Sequence, residues 1–239
     1  YNYNIILTLS FLTFSFMLIG FIDDFLSLKK KLNTGLTSSQ KLILQLFISL
    51  IFLFICAQNN FIPNNIQVAN KIINIGYFIY PLGLFVLLAE SNSTNLTDGL
   101  DGLLGGCSVL IFIGLAIDIL IENQANADSL AQLSIIMAGA CMGFLFFNKY
   151  PAKIFMGDSG SLAIGASLAG IALISNNLWS LLIMGGILAA ESISVIIQVG
   201  LFKITKKIKG KGYKLFLMTP IHHHFELKGN NESLIVISF

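Results

Sequence analysis

The stretch that decides how this sequence can fold is Asn92-Ser93-Thr94-Asn95-Leu96-Thr97-Asp98-Gly99-Leu100-Asp101-Gly102-Leu103, which lies between two long apolar segments. Its carboxylates, Asp98 and Asp101, are three residues apart, so a helical turn would place them on one face. Its glycines allow the backbone to approach a ligand closely. An N-cap for a helix that begins near Gly99 would need only one of these polar residues. The cluster therefore favours a ligand site over simple capping.

The composition excludes an ordinary soluble domain. The 239 residues are 55% hydrophobic and 11% charged, and their mean hydropathy is +0.82. Soluble domains are typically about 45–50% apolar and about 25% charged. Each of the three cysteines, Cys56, Cys107 and Cys141, falls inside an apolar run, so we interpret them as buried small residues rather than as metal ligands or disulfides.

The apolar runs predict an all-α fold, a polytopic transmembrane helix bundle with seven crossings and the stub of an eighth. A crossing needs roughly 17–25 residues. The runs are Asn4–Ile22, Lys41–Ala57, Ile72–Ala89, Leu103–Ile121, Leu130–Phe147, Ser161–Ser175 and Leu178–Phe202, and the stub begins at Leu234. We expect Pro81 to kink the third run. Residues 1–239 are expected to form a single integral membrane domain with active-site loops at 23–41, 90–102, 148–161 and 203–231.

Lysine placement predicts the orientation of the bundle. All 14 basic residues are lysines, and if the crossings alternate, thirteen of them lie on the same side as Asp23, with only Lys71 opposite. Cytoplasmic loops carry the excess of positive charge, so this side is predicted to be the cytoplasm. The same alternation brings Asp98, Asp158 and His222 to that side. Any chemistry is therefore expected on the cytoplasmic face.

The pair Asp23-Asp24 is predicted to close the first crossing. Carboxylates at a helix C-terminus oppose the helix dipole, and neighbouring carboxylates repel each other unless a cation lies close by. The lysines at 29–31 could supply that cation, and so could a bound Mg²⁺. Because polar groups at membrane depth are usually functional, we expect a functional role for the pair.

A third polar stretch, Gly157-Asp158-Ser159-Gly160, follows a turn at Pro151 and is predicted to open the next helix. The free N–H groups of a helix N-terminus can bind phosphate, and Asp158 could hold a metal ion. The alternative is a plain N-cap formed by Asp158 or Ser159.

The run His222-His223-His224 ends a lysine-rich loop. Consecutive side chains point apart on any regular backbone, so the three cannot all face one metal ion. Hydrogen bonding to a phosphate or a sugar and a simply solvated loop stay open as alternatives. Glu191, in the middle of the seventh run, is expected to face a cavity or a partner, because a carboxylate inside a membrane is costly.

Taken together, the carboxylates, lysines and helix N-termini on one face suggest a site for Mg²⁺ and a diphosphate. Magnesium is usually held by one or two carboxylates together with substrate phosphates, and phosphoryl transfer depends mostly on positioning and charge neutralisation. An acceptor that reaches this face from the bilayer would be a lipid phosphate.

At these residues the chain resembles the phospho-N-acetylmuramoyl-pentapeptide-transferase family, within the superfamily of polyprenyl-phosphate hexosamine-1-phosphate transferases. The matching stretches are Gly20–Asp24, Asn95–Gly102, Ile154–Ser161, Glu191–Val199 and Pro220–Glu226. The family has ten crossings, so the resemblance implies that two helices before this chain and most of the last one are missing. It implies transfer of phospho-MurNAc-pentapeptide from UDP-MurNAc-pentapeptide to undecaprenyl phosphate, which gives lipid I and UMP in the bacterial inner membrane. It also implies Mg²⁺ as cofactor, no nucleic-acid partner, and allows a homodimer.

The resemblance also implies roles for individual residues. Asp158 matches the Mg²⁺ ligand and Asp23 the group that activates the lipid phosphate, with Asp24 as a third catalytic residue. The substrate-binding positions are Lys41, Asn95, Asp98, Asp101, Asn148, His222, His223 and His224.

Three positions depart from the family pattern, namely Ser27, Asn230 and Ser238. Three alternatives stay open: a GlcNAc-1-phosphate transferase that shares the aspartate motifs, an ion-coupled transporter, and an inactive copy of the enzyme. The His-His-His-Phe-Glu run argues against the first alternative. The absence of a recognisable inverted repeat in the sequence argues against the second.

Overall fold

The computed structural model describes residues 3–30, 35–69, 71–123 and 126–239, and these form ten α-helices and one small β-hairpin. The helices are α1 (Tyr3–Lys30), α2 (Ser38–Gln58), α3 (Ile79–Thr97), α4 (Leu103–Glu122), α5 (Ala127–Asn148), α6 (Gly157–Ile174), α7 (Leu178–Met184), α8 (Gly186–Lys209), α9 (Ile221–Leu227) and α10 (Glu232–Ser238). The hairpin pairs β1 (Asn65–Val68) antiparallel with β2 (Lys71–Asn74). Lys31 and the rest of 31–34, part of the predicted loop 23–41, lie outside the described residues.

Six helices are long and apolar enough to cross a membrane, namely α1, α2, α4, α5, α6 and α8. The prediction of an all-α polytopic membrane protein is thereby confirmed. The predicted third crossing, α3, is not among the six, because its last seven residues, Ser91 to Thr97, are almost all polar. Its 19 residues nevertheless span about 28 Å at the rise of an α-helix.

Several predicted boundaries were wrong. Helix α1 continues to Lys30, so Asp23 and Asp24 lie inside a helix and not in a loop. Helix α3 begins only at Ile79, because the residues before it pair in the hairpin and then form a short 3₁₀ turn, and it runs on through the predicted loop at 90–97. Pro81 therefore lies in the first turn of α3, where no N–H is needed, and the expected kink is wrong.

The predicted seventh crossing is two helices. The chain leaves the helical path at Gly185, which separates α7 from α8. The predicted loop at 203–231 likewise contains the last turns of α8, all of α9 and a short connection to α10. The predicted stub at Leu234 lies within α10.

Helix α6 is the central element of the bundle, and every residue from Ser161 to Ile174 is buried. Its sequence is rich in glycine, alanine and serine, which let helix backbones approach closely in a membrane. A Cβ on Gly165 would overlap the backbone of α3 at Ser91, and a Cβ on Gly20 of α1 would overlap the backbone at Asp158. Helices α1 and α3 therefore lie directly against α6, and their C-terminal ends meet its N-terminal end.

At the opposite end of the bundle, a polar network ties the hairpin to the helices. Asn177 donates hydrogen bonds through Nδ2 to Asp118 (2.8 Å) and Glu122 (3.0 Å) of α4. Gln67 of β1 donates to the same Glu122 (2.8 Å). These contacts fix the turn between α6 and α7, and with it the end of the central helix.

Candidate functional site

Three carboxylates converge where α1 passes the start of α6. Asp23, Asp24 and Asp158 can each offer one carboxylate oxygen such that the three oxygens lie within 4.8 Å of one another. Close packing at Gly20, one turn before Asp24, is what brings α1 to the N-terminus of α6. Carboxylate oxygens are the ligands that Mg²⁺ prefers, so this group, which we call the aspartate cluster, fits a divalent cation.

Lys41, in the first turns of α2, supplies the positive charge that the aspartate pair needs. Its Nζ forms an ion pair with Asp158 Oδ2 and lies 3.3 Å from Asp23 Oδ2. The sequence analysis offered the lysines at 29–31 for this role. Lys30 instead donates to the carbonyl of Gly35 (3.2 Å). Lys41, predicted as a substrate-binding residue, thus lies within the aspartate cluster.

The second oxygen of Asp158 is also engaged. Asn95, in the last turn but one of α3, donates from Nδ2 to Asp158 Oδ1 (2.6 Å) and to Ser161 Oγ (3.0 Å). Charge-assisted hydrogen bonds of this kind fix the carboxylate and favour its ionised form. Asp158 is therefore held by two different helices, α2 through Lys41 and α3 through Asn95.

Carboxylates from other helices cap the N-terminus of α6. Asp24 accepts hydrogen bonds from the N–H groups of Asp158 (3.2 Å) and Ser159 (3.0 Å) and from the Ser159 hydroxyl (2.7 Å). Asp98 accepts from the N–H of Gly157. Negative charge at a helix N-terminus is favourable. The prediction that these N–H groups are free for phosphate is therefore wrong for 157–159, and so is the alternative of a cap by Asp158 or Ser159.

The burial of Asp98 at the end of α3 changes its acidity. Loss of water raises the pKa of this carboxyl to about 6, and the nearby carboxylates of Asp158 and Asp24 raise it further, while the hydrogen bond from Gly157 opposes the rise. Asp98 thus titrates in a range where an ordinary aspartate is fully ionised.

Asp101 and Asn148 organise the backbone beside the cluster rather than joining it. Asp101 Oδ2 accepts from the N–H of Ala152 (2.8 Å). Asn148 accepts from the N–H of Gly102 (3.1 Å) and donates to the carbonyl of Ile154 (2.9 Å). Both side chains tie the turn after α3 to the segment between α5 and α6. Asp98 and Asp101 therefore serve different elements, and the prediction that they share one helical face is wrong.

The three histidines make three different contacts, as the argument from backbone geometry predicted. His222 is fully buried, with Nδ1 3.1 Å from Glu191 Oε1, and its ring lies where a Cβ on Gly99 would be. His223 contacts Glu226 at the surface (Nδ1 to Oε2, 2.9 Å). His224 Nδ1 accepts from the N–H of Leu217 (3.1 Å). The expected partner of the intramembrane Glu191 is thus His222.

The sequence profile of glycosyl transferase family 4 matches residues 6–176, which is most of the chain and includes the whole aspartate cluster. The chain belongs to this family. It is 81% identical over 238 residues to a phospho-N-acetylmuramoyl-pentapeptide-transferase of Prochlorococcus marinus (strain NATL2A), covering 100% of this chain and 64% of that protein. Further relatives of the same name are 55% identical in Prochlorococcus marinus (strain SARG / CCMP1375), covering 98% of this chain and 64% of that protein, and 52% identical in Synechococcus sp. (strain CC9605), covering 98% and 67%. These similarities confirm the resemblance that the motifs indicated.

Within this glycosyl transferase family 4 chain, two functional relationships were missed by sequence reasoning. The first is the position of Lys41 between Asp23 and Asp158, which lie 18 residues before it and 117 after it along the chain. The second is the contact of His222 with Gly99, because the sequence analysis assigned Gly99 to a ligand and not to a side chain. A signal for the first was present, since Lys41 opens an apolar run in which no other charge occurs.

Proposed function

We propose that this protein transfers phospho-MurNAc-pentapeptide from UDP-MurNAc-pentapeptide to undecaprenyl phosphate, giving lipid I and UMP. The observation that carries the proposal is the aspartate cluster at the ends of membrane-crossing helices in a glycosyl transferase family 4 chain. The name of the relatives, at up to 81% identity, supports this substrate pair. The chain spans about 64% of the length of the first two relatives, so the activity is proposed for the protein in its full length.

The donor set of the cluster fits a resident Mg²⁺. Three carboxylates meet a single ammonium group, that of Lys41, so excess negative charge is left for a cation. Asp158 would be the principal ligand, with Asp23 beside it. When bound, Mg²⁺ supplies neutralisation of the charge that develops on the diphosphate. The ammonium of Lys41 and the metal would compete for Asp158 Oδ2.

The reaction forms one P–O bond and breaks another. An oxygen of the lipid phosphate bonds to the sugar-bearing phosphorus of the donor, and the bond from that phosphorus to the bridging oxygen breaks, so UMP leaves with the electron pair. Asp23 is held for this reaction by the N–H of Leu36 (2.7 Å), and we assign to it the orientation of the attacking phosphate. Lys41, once displaced from Asp158, would be free to pair with a substrate phosphate.

The histidines divide into positioning and recognition. His222 is buried and fixes α9 on the turn at Gly99. His223 is partly exposed, with 26% of its side-chain surface accessible, so it is the best placed of the three to contact the donor. We infer donor contact for His223 and a supporting role for His224, whose Nδ1 is engaged by the backbone.

We infer that the protein lies in the bacterial inner membrane with the aspartate cluster on the cytoplasmic face. The asymmetry of the lysines supports this orientation. A cysteine at Lys207 should react with an impermeant thiol reagent only from the cytoplasm, and one at Asn126 only from outside. The reverse pattern would overturn the assignment. A homodimer and a single domain over 1–239 stay predictions.

The experiment that tests the function is a donor comparison with the full-length protein in detergent micelles. With undecaprenyl phosphate and Mg²⁺, we expect lipid I from UDP-MurNAc-pentapeptide and no lipid product from UDP-GlcNAc. A His223→Ala variant should lose turnover with its fold intact, as judged by unchanged thermal unfolding. Good use of UDP-GlcNAc, with His223→Ala unaffected, would establish the GlcNAc-1-phosphate transferase instead.

A further inference from the structure

The last turns of α8 and the segment that follows form a strongly basic region with no acidic counterpart. The region contains Lys203, Lys206, Lys207, Lys209, Lys211 and Lys214, and all six are exposed. The sequence has no carboxylate between Glu191 and Glu226. Within the described part of the chain, none of the six lysines lies within ion-pair distance of an acidic side chain. This concentration of positive charge is therefore uncompensated.

Exposed apolar side chains lie next to these lysines. Ile204 and Ile208 are 56% and 74% exposed, and because they are four residues apart they share one face of α8. Lys203 and Lys207 lie around the other side of the same turns. After the helix, exposed apolar residues continue with Tyr213, Leu215 and Leu217. A basic face beside an exposed apolar face is the pattern of a segment that lies in a membrane interface.

The chain folds back on α8 and forms a cavity at this basic region. Gly210 ends the helix with a φ of +72°, and Gly212 packs against the ring of Phe202. The N–H of Tyr213 then donates to Thr205 Oγ1 (2.8 Å). The resulting cavity has a volume of about 540 Å³ and is lined by Thr205, Lys209, Lys211, Gly212 and Tyr213.

We propose that this cavity binds the headgroup of an anionic phospholipid of the surrounding leaflet. Helix α8 is one of the six membrane-spanning candidates and ends at Lys209, so the cavity lies where the helix leaves the bilayer. Lysine clusters directly beside a membrane span attract anionic lipids, at about 1 kcal/mol per residue, which is roughly fivefold in affinity. Lys209 and Lys211 contact the headgroup phosphate, while Ile208 and Tyr213 rest against the acyl boundary.

This lipid is distinct from the lipid substrate of the proposed reaction. None of the five residues that line the cavity contacts the aspartate cluster through a described hydrogen bond or ion pair. The proposal also does not depend on the proposed function, because it concerns the lipid that surrounds α8 and not the group that is transferred.

The test uses the full-length protein in a neutral detergent and measures the apparent Kd of added dioleoyl-phosphatidylglycerol by native mass spectrometry, with dioleoyl-phosphatidylcholine as the neutral reference. We compare Lys209→Gln/Lys211→Gln with a matched control, Lys149→Gln/Lys153→Gln, which removes two exposed lysines from the segment around the end of α5. Lys209→Arg/Lys211→Arg keeps the charge and reports on folding. Millimolar inorganic phosphate is added in a separate arm as a free anion.

We expect selective binding of phosphatidylglycerol that weakens about 30-fold in Lys209→Gln/Lys211→Gln, persists in the control, and is restored by the arginine pair. Equal losses in the test and control variants would overturn the proposal, because the effect would then be one of net charge. Displacement of phosphatidylglycerol by inorganic phosphate would also overturn it and would identify a site for a free anion. Loss of binding in the arginine pair would do so as well, since charge would not explain the affinity.

Discussion

Lys41 and Asp158 form an ion pair that joins the start of α2 to the start of α6, and Asp23 lies 3.3 Å from the same ammonium group. Lys41 therefore occupies the side of Asp158 that a metal ion would use. The pair keeps the carboxylates together when their mutual repulsion would otherwise separate them.

Replacement of Lys41 by methionine should strengthen metal binding and weaken catalysis. Without the ammonium, Asp158 and Asp23 no longer have a competing cation, and a partly exposed pair of this kind contributes up to about 1 kcal/mol. We expect Mn²⁺, measured by electron paramagnetic resonance without substrates, to bind up to about fivefold more tightly. Lys149→Met, which removes an exposed lysine near the end of α5, should leave Mn²⁺ affinity unchanged. Weaker Mn²⁺ binding in Lys41→Met would show that Lys41 supports the metal site rather than competing with it.

Replacement of Asp24 by alanine should destabilise the junction of α1 and α6. Three hydrogen bonds to the start of α6 would be lost, and removal of an N-cap typically costs about 0.5–2 kcal/mol. Thermal unfolding in detergent should show the loss. Asp128, an exposed carboxylate in the first turn of α5, gives the control Asp128→Ala. If both variants unfold at the parent's temperature, Asp24 does not act as a cap.

Much of the helical framework follows from the sequence, because long apolar runs have few alternatives in a membrane. The alternation of crossings also indicated that Asp23 and Asp158 end on one face, and they do lie together. The break at Gly185 was not predictable, since apolar residues continue on both sides of it. The hairpin was missed because Ile72 and Ile73 read equally well as the start of a crossing.

Individual contacts were even less accessible to sequence reasoning. Hydropathy places a residue on a face of the membrane but does not say which side chain it meets there. Asp24 was expected to need a cation, yet it finds the N–H groups of α6. Asn148 was expected to bind substrate, yet both its polar atoms bind backbone.

Replacement of Gly99 by alanine should disturb the packing of α9. A Cβ at this position would overlap the ring of His222, which is buried and cannot swing into solvent. Overpacking of this kind typically costs about 1–3 kcal/mol. Limited proteolysis should then cut the segment between α8 and α9 faster than in the parent. Gly106→Ala is the matched control, because a Cβ on Gly106 meets nothing within 4 Å, and no change in cleavage is expected there. Unchanged cleavage in Gly99→Ala would contradict the placement of His222.

The pKa of Asp98 predicts a pH-dependent cost in stability. Burial raises this pKa to about 6 from an ordinary value of 3.8, so the folded protein binds the proton more tightly than the unfolded chain. The free energy of unfolding therefore falls as pH rises from about 4 to about 6, and the loss is complete above that range.

An Asp98→Asn variant should lack this dependence. Measured without added metal, its free energy of unfolding should rise relative to the parent between about pH 4 and pH 6 and run parallel to it from about pH 6 to pH 8. Asp128→Asn corrects for the change in net charge. A constant difference between Asp98→Asn and the parent over the whole range would contradict the raised pKa.

The central claim is that the aspartate cluster carries metal-dependent transfer, and Asp158 tests it most directly. The measurement is lipid I formation by full-length Asp158→Asn at increasing Mg²⁺, with UDP-MurNAc-pentapeptide and undecaprenyl phosphate in excess. We predict a loss of turnover of at least roughly 100-fold that saturating Mg²⁺ does not restore, as for a lost electrostatic contact in a transition state. Turnover close to that of the parent at saturating Mg²⁺ would contradict the account.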